Sequence, residues 1–301
     1  MKTRTKVWLS IAACLVLLGC VLFVGVMTTL GWDFTKLATV KYETNTHEIS
    51  EAFGAISMDT DTADICFAVS DDGICKVVCY EQENAKHSAV VEKDTLTIRV
   101  DDQREWYQYI GINFSAPKIT VYLPENQYTA LIIKESTGAI EIPKAFGFEN
   151  VDISLSTGDV SFEASVADTL KIKTSTGDIR VANISAGTLD LSVSTGDVYL
   201  ADIACKKLIS QGNTGDISLK NVIAAESISV ERSTGDVKLE KSDAAEIFIK
   251  TDTGNVTGTL LSDKKFIVET DTGHVSVPKT ETGGKCEIIT DTGDIRISLV
   301  Q

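Results

Sequence analysis

The sequence predicts an all-β protein, a single-stranded β-helix or solenoid with 19–20-residue rungs, preceded by one transmembrane helix. Three observations carry this. A Thr-Gly pair recurs at nearly constant spacing, apolar residues fall at fixed offsets from it, and the chain begins with a charge-free apolar run bounded by basic residues on its N-terminal side.

The repeat glycines are Gly138, Gly158, Gly177, Gly196, Gly215, Gly235, Gly254, Gly273 and Gly293, so every step is 19 or 20 residues. An acid follows at Asp159, Asp178, Asp197, Asp216, Asp236 and Asp294, whereas Ala139, Asn255 and His274 take its place elsewhere. Two residues after each glycine stands a β-branched residue, from Ile140 and Val160 to Val275 and Ile295, and a second column four residues after it begins Ile142, Phe162, Val181. Pairs before it, such as Ile153 with Val151, continue the alternation. Period two on both sides of a glycine turn means short strands with one buried face. An antiparallel meander or sandwich would not need the same side chain at the same offset in each unit. Stacked parallel rungs do, because each column residue is covered by its equivalent above and below.

Glycine at the corner implies positive φ or close backbone approach, and the acid after it suits a turn in which its carboxylate accepts a backbone N–H. A weaker column at Asn183, Asp202 and Asn221 marks a second corner. The regular solenoid is assigned to residues 131–301, and irregular first rungs with a cap to 53–130. The last rung in sequence ends at Leu299-Val300-Gln301 with no cap after it, leaving a surface that could stack on a partner or another copy.

Lys2, Arg4 and Lys6 precede an apolar run over residues 7–30, long enough to cross a hydrocarbon core ~30 Å thick. The basic side is expected to stay in the cytoplasm as a short tail, residues 1–6, with the C-terminal domain outside, and Trp8 and Trp32 sit where interfacial aromatics belong. A cleaved signal peptide would have a shorter run and a small-residue cleavage site. Leu17-Leu18-Gly19-Cys20 has the look of a lipoprotein box, but an apolar stretch follows Cys20 where a mature lipoprotein is normally polar. Residues 31–52 read as a polar juxtamembrane linker.

The Ser-Thr-Gly-Asp-Val/Ile repeats, the strand Lys118-Ile119-Thr120-Val121-Tyr122-Leu123-Pro124 and the N-terminal span together resemble the bacterial "putative adhesin" family of β-strand-repeat domains. The resemblance covers residue 53 to the C-terminus and implies a right-handed β-helix at the cell envelope of a protein whose molecular function is unknown. It implies no catalytic residues. One relative type sits beside envelope-stress signalling systems, which makes a sensor or regulatory accessory the alternative to adhesion or scaffolding.

The chemistry in the sequence is sparse. A net charge of -15 argues against nucleic acid. No nucleophile elbow, phosphate loop or His-Glu-x-x-His pair is present, and a uniform acidic ladder lacks the asymmetry of a catalytic cleft, so a polysaccharide-active enzyme is a distant alternative. Calcium could bridge the aspartates, but a hard cation wants six to eight oxygens, and the column tolerates Asn and His, which favours turn capping. The three histidines are far apart in sequence and give no zinc signature. Were Asp72-Gly73 a hairpin turn, Cys66 would face Cys79 across the strands; parallel rungs would leave the two apart. The segment 101–117 interrupts the pattern and carries Trp106, Tyr107, Tyr109 and Phe114, either an aromatic loop for a glycan, cell-wall polymer or protein, or rings packed over the end of the solenoid.

Overall fold

The structure, a computed structural model, describes residues 3–37, 40–106 and 115–300. The chain divides into two compact units, Met1–Tyr42 with Gln103–Ala116, and Glu43–Asp102 with Pro117–Gln301.

The first unit contains the helix α1 (Thr3–Thr29). Its residues Thr5–Thr29 are long and apolar enough to cross a membrane. In the same unit the Tyr42 hydroxyl donates to the Ser115 carbonyl at 2.9 Å.

The second unit is a β-solenoid of about eight turns. Its N-terminal part comprises β1 (Tyr42–Ile49), β2 (Ala55–Asp59), β3 (Asp64–Val69), β4 (Cys75–Gln82), β5 (Ala85–Glu92), β6 (Thr95–Asp102) and β7 (Lys118–Leu123). Regular rungs follow as β8 (Gln127–Thr137) with β9 (Ile140–Ile142), β10 (Gly147–Thr157) with β11 (Val160–Phe162), and β12 (Ser165–Thr176). The strands then run almost unbroken from one corner to the next, as β13 (Ile179–Thr195), β14 (Val198–Thr214), β15 (Ile217–Thr234) and β16 (Val237–Thr253). The end is built from β17 (Val256–Leu260), β18 (Lys264–Thr272), β19 (Val275–Ser276), β20 (Gly284–Thr292) and β21 (Ile295–Leu299).

Pairing between rungs is parallel and keeps the columns in register. Ile153 lies between Ile133 and Ile172, and Val160 between Ile140 and Ile179, all fully or almost fully buried. At the corner both demands on glycine hold together. Gly177 has φ +133°, and a Cβ there would stand 2.0 Å from the Gly158 carbonyl oxygen. The second corner places Asn183, Asp202, Asn221 and also Lys241 at φ between 50° and 59°, a region Asn and Asp enter more readily than most residues.

Both ends depart from chain order. At the N-terminal end, β2 and β3 lie between β8 and β9 on one side and β6 and β7 on the other, so Ile56 pairs with both Leu131 and Leu96. Outside them the pairing turns antiparallel, β4 on β7 and the hairpin β5–β6, which ends the parallel stack in a cap. The polar stretch expected as a linker contributes β1, paired with β4 of that cap. At the other end, β20 and β21 stand between β16–β17 and β18–β19. The last rung in sequence is thus enclosed on both sides, and the outermost rung is β18–β19. Val275 records the difference, 46% exposed in a column whose members Val256 and Ile295 are fully buried.

Cys66 and Cys79 do not face each other. β7 stands between β3 and β4, pairing Cys66 with Thr120 and Cys79 with Ile119, and both thiols are free.

Candidate functional site

The acidic column forms a hydrogen-bond ladder running from rung to rung. One carboxylate oxygen of each acid accepts the backbone N–H of the equivalent residue on the next rung: Asp178 on Asp159 at 2.8 Å, Asp197 on Asp178 at 2.9 Å, Asp216 on Asp197 at 2.7 Å and Asp236 on Asp216 at 2.8 Å. Asn255 continues it on Asp236, Asp294 on Asn255, and His274 on Asp294. Several second oxygens are engaged too, Asp178 by Arg180 at 2.7 Å, Asp197 by the Tyr199 hydroxyl at 2.8 Å and Asp294 by Arg296 at 2.6 Å. The Arg180 guanidinium also lies 5.0 Å from the Tyr199 ring centre. The His274 N–H, then Arg296, hold the Asp294 carboxyl below its usual range. The carboxylates are spread one per rung along the backbone, which makes them a structural seam and gives no converging shell of oxygens.

The ladder has one member that the repeat spacing hides. Thr62-Ala63-Asp64-Ile65 is a corner with alanine for glycine, and Asp64 accepts the Ala139 N–H at 2.9 Å. The signal was the tetrapeptide itself; its distance of 75 residues along the chain from its neighbour on the ladder removed it from the period.

A second feature is interior. The position three residues before each corner glycine points inward and is polar in several rungs. Thr251, Thr290 and Thr270 donate their hydroxyls to the carbonyls of Gly235, Gly254 and Gly293 on the adjacent rung. Glu135 occupies this position at the N-terminal side, bonded to the Thr60 hydroxyl and the Ala63 N–H, and burial, with Asp61 and Asp64 nearby, pushes its carboxyl up to about 8. Arg232 occupies it further on, 3% exposed, and reaches over Gly212 to the Val193 carbonyl at 3.2 Å, while its Nε and Nη2 have no hydrogen-bond partner. Burial lowers the Arg232 guanidinium to about 10, with Asp197 and Asp216 opposing the shift.

The cap contains the one group of potential metal ligands among the described residues. Ligand atoms of Cys79, Glu81 and His87, all buried, lie within 4.8 Å of one another. The Glu81 carboxylate already accepts the His87 N–H at 2.6 Å, meets His87 Nδ1 at 2.7 Å, and accepts Asn45 Nδ2 at 2.7 Å, while burial pushes the Cys79 thiol up to about 12. These contacts fit a buried hydrogen-bonded carboxylate that closes the β4–β5 hairpin.

Trp106, the one described member of the aromatic segment, is 74% exposed. Tyr107, Tyr109 and Phe114 lie outside the described residues.

The repeat is also broken at the solenoid's C-terminal end. Where the chain leaves the rung order, a groove of about 660 Å³ opens between Ile223, Ala224, Ala244, Leu261 and Gly284. Lys264 lies buried along it, its Nζ 2.5 Å from Asp243 and 2.6 Å from the Ser262 hydroxyl. Ile223 and Leu261 are exposed apolar residues at its rim. Nothing in the sequence marks this place, since the ordinary steps of 19 and 20 residues continue through Gly254, Gly273 and Gly293.

No curated protein matches the chain. Among solved structures it is similar to a "putative adhesin" from Bacteroides fragilis, with 17% identity over 86% of this chain and 97% of that one and a TM-score of 0.48. A second, from Parabacteroides distasonis and also named "putative adhesin", has 16% identity over 86% and 98% with a TM-score of 0.39. A third, a "putative lipid binding protein" from the same species, has 13% identity over 85% and 97% with a TM-score of 0.39. The family model described as Toastrack DUF4097 matches residues 53–208 and 187–301, nearly the whole of the solenoid unit, and the chain belongs to that family.

Proposed function

We propose that the chain is a membrane-tethered, extracytoplasmic binding module of the bacterial envelope, acting in adhesion or as a scaffold without catalysis. Its N-terminus lies in the cytoplasm and its solenoid outside. The observation that carries this is the contrast between the solenoid's sides and its C-terminal end. Along the sides, the repeated acids are used in hydrogen bonds that hold the rungs together. At the end, core-facing residues of the outermost rung are left open, Val275 at 46% exposed and Phe266 and Val268 only partly buried, and the groove that holds Lys264 lies at the same end. A rigid stack that leaves its apolar surface at one end presents a contact surface.

The apolar helix supports the tether, and the basic residues before it support the orientation. The test is a pull-down with the full chain in lipid nanodiscs against purified cell-wall polymer, envelope glycans and envelope proteins. Binding that is lost on Leu261→Asp, at the rim of the groove, supports the reading. An absence of binding to all of them, with an altered transcriptional response to cell-wall antibiotics on deletion of the gene, would replace it with the sensor.

A further inference from the structure

The geometry points to a second copy of this chain as the occupant of the open end, docked about a two-fold axis so that β18 pairs antiparallel with itself, centred on Ile267. This deepens the binding-module reading and rests on it. The ladder partner of β18 among the described residues is β20, on its inner side. Phe266 and Val268 are only partly buried, whereas Cys286 and Ile288, which pair with them one rung inward, are sealed.

The sequence of β18 is self-complementary in this register. With Ile267 opposite its own copy, Lys265 falls opposite Glu269 and Phe266 opposite Val268, each twice because the contact is isologous. Directly opposed residues on antiparallel strands lie ~4.5–5.5 Å apart, where opposite charges attract and like charges destabilise the pair. Lys265 and Glu269 are both exposed and face away from the interior. Lys264, next to them, is already paired with Asp243 and adds no competing charge. Phe266 and Val268 of each copy would cover the open core of the other.

The alternative mode of self-association, a head-to-tail stack on the opposite end, is blocked. There the antiparallel strands β4, β5, β6 and β7 replace the parallel edge that β18 would have to extend. The contact therefore closes as a dimer and does not grow into a fibre. One strand and one rung end make an interface smaller than the ~800 Å² per partner of stable complexes, so association is weak in solution. Anchoring many copies in one membrane raises their effective concentration.

The experiment is sedimentation of the full chain in detergent micelles, comparing wild type with Lys265→Glu, Glu269→Lys and the double exchange. Wild type is expected to show a concentration-dependent monomer–dimer equilibrium. Each single exchange should weaken it at least ~10-fold by opposing like charges twice, and the double exchange should restore it to within ~3-fold. A helix-driven dimer would be indifferent to all three, and that result, or a monomeric wild type, overturns the proposal. So does failure of the double exchange to recover. Both residues are exposed and outside the core, so circular dichroism should be unchanged throughout. A dimer that binds no envelope component would leave this inference standing and remove adhesion to other molecules. A monomer that binds one would do the reverse.

Discussion

The Asp294 backbone N–H donates to the Asn255 side-chain oxygen at 2.9 Å, across 39 residues of sequence. Elsewhere on the regular ladder the same bond joins residues 19 or 20 apart. The doubled step marks the slot that the chain passes over after β17 and fills on its return. Asn255 holds the position with an amide where its neighbours have carboxylates, and its Nδ2 meets Asp236 at 3.1 Å while its Oδ1 takes Asp294. An amide can give and accept at once, so it also removes one negative charge from the seam.

The ladder predicts an asymmetry between two substitutions. Asp197→Ala leaves the Asp216 N–H and the Tyr199 hydroxyl without their acceptor and should lower stability by about 1–3 kcal/mol. Asp197→Asn keeps an oxygen in the same place and should lose less than half as much. Thermal unfolding of both variants, with hydrogen exchange at the Asp216 amide, measures the difference. Equal losses would mean that charge matters here and the backbone bond does not.

Much of this was legible before the structure. Corners, strand parity and buried columns follow from period-two alternation around a recurrent glycine, and each holds wherever rungs are regular. Slot order was not legible, because the rungs of Gly273 and Gly293 carry the same residue types at the same offsets and either fits beside Gly254. The first corner was hidden by Ala63, which stands where later corners have glycine and does not share their positive φ; the Asp64 N–H beside it donates to the Pro117 carbonyl. The polar interior at Glu135 and Arg232 was missed because alternation assigns inward positions without regard to how a rung pays out its polar groups. Gly212 was the available sign: a glycine three residues before a corner, in a position that is otherwise occupied, makes room for the Arg232 side chain.

Glu135 predicts a pH dependence. Its carboxyl titrates at about 8 in the folded chain against an ordinary value of 4.5, so the unfolded chain loses this proton first as pH rises. The group's contribution is therefore fully present below pH ~4.5 and is lost as pH rises through about 8. Glu135→Gln removes the titration while keeping an oxygen for the Ala63 N–H and a donor for Thr60. The variant should melt near wild type at pH 5 and a few degrees above it at pH 8.5. A constant difference across that range would show that Glu135 is not the titrating group.

Arg232 predicts a stabilising substitution. Two of its donors are buried without partners, and the guanidinium is out of water. Its column holds threonine at Thr251, Thr270 and Thr290, each bonded to a corner carbonyl on the adjacent rung. Arg232→Thr would place the same hydroxyl toward the Gly215 carbonyl and remove a buried charge, at the cost of the space beside Gly212. Removing the desolvated charge is the larger effect, and the melting temperature should rise by about 2–4 °C, which corresponds to ~1 kcal/mol in a domain of this size. A fall would mean that Arg232 is held by its attraction to Asp197 and Asp216 across the corner.

The passed-over slot predicts what a shortened chain does. A chain ending at residue 283 lacks β20 and β21, the strands that separate β18–β19 from β16–β17. Without them Ile247, Ile249 and Val256 would be uncovered, while Phe266, Val268 and Val275 would have no inner partner. Gly254 and Gly273 are 19 residues apart, the ordinary step, so nothing in the covalent chain prevents β18 from stacking directly on β16. Phe266 would then meet Ile247, Val268 would meet Ile249 and Val275 would meet Val256, with the columns intact. The shortened chain should remain folded through residue 276, with amides of 264–272 still protected from exchange and a melting temperature lower by only a few degrees, because one rung is lost and no column is broken. If those amides lose protection, the outer rung has no affinity for the inner slot, and its position in the full chain depends on the C-terminal strand that it covers.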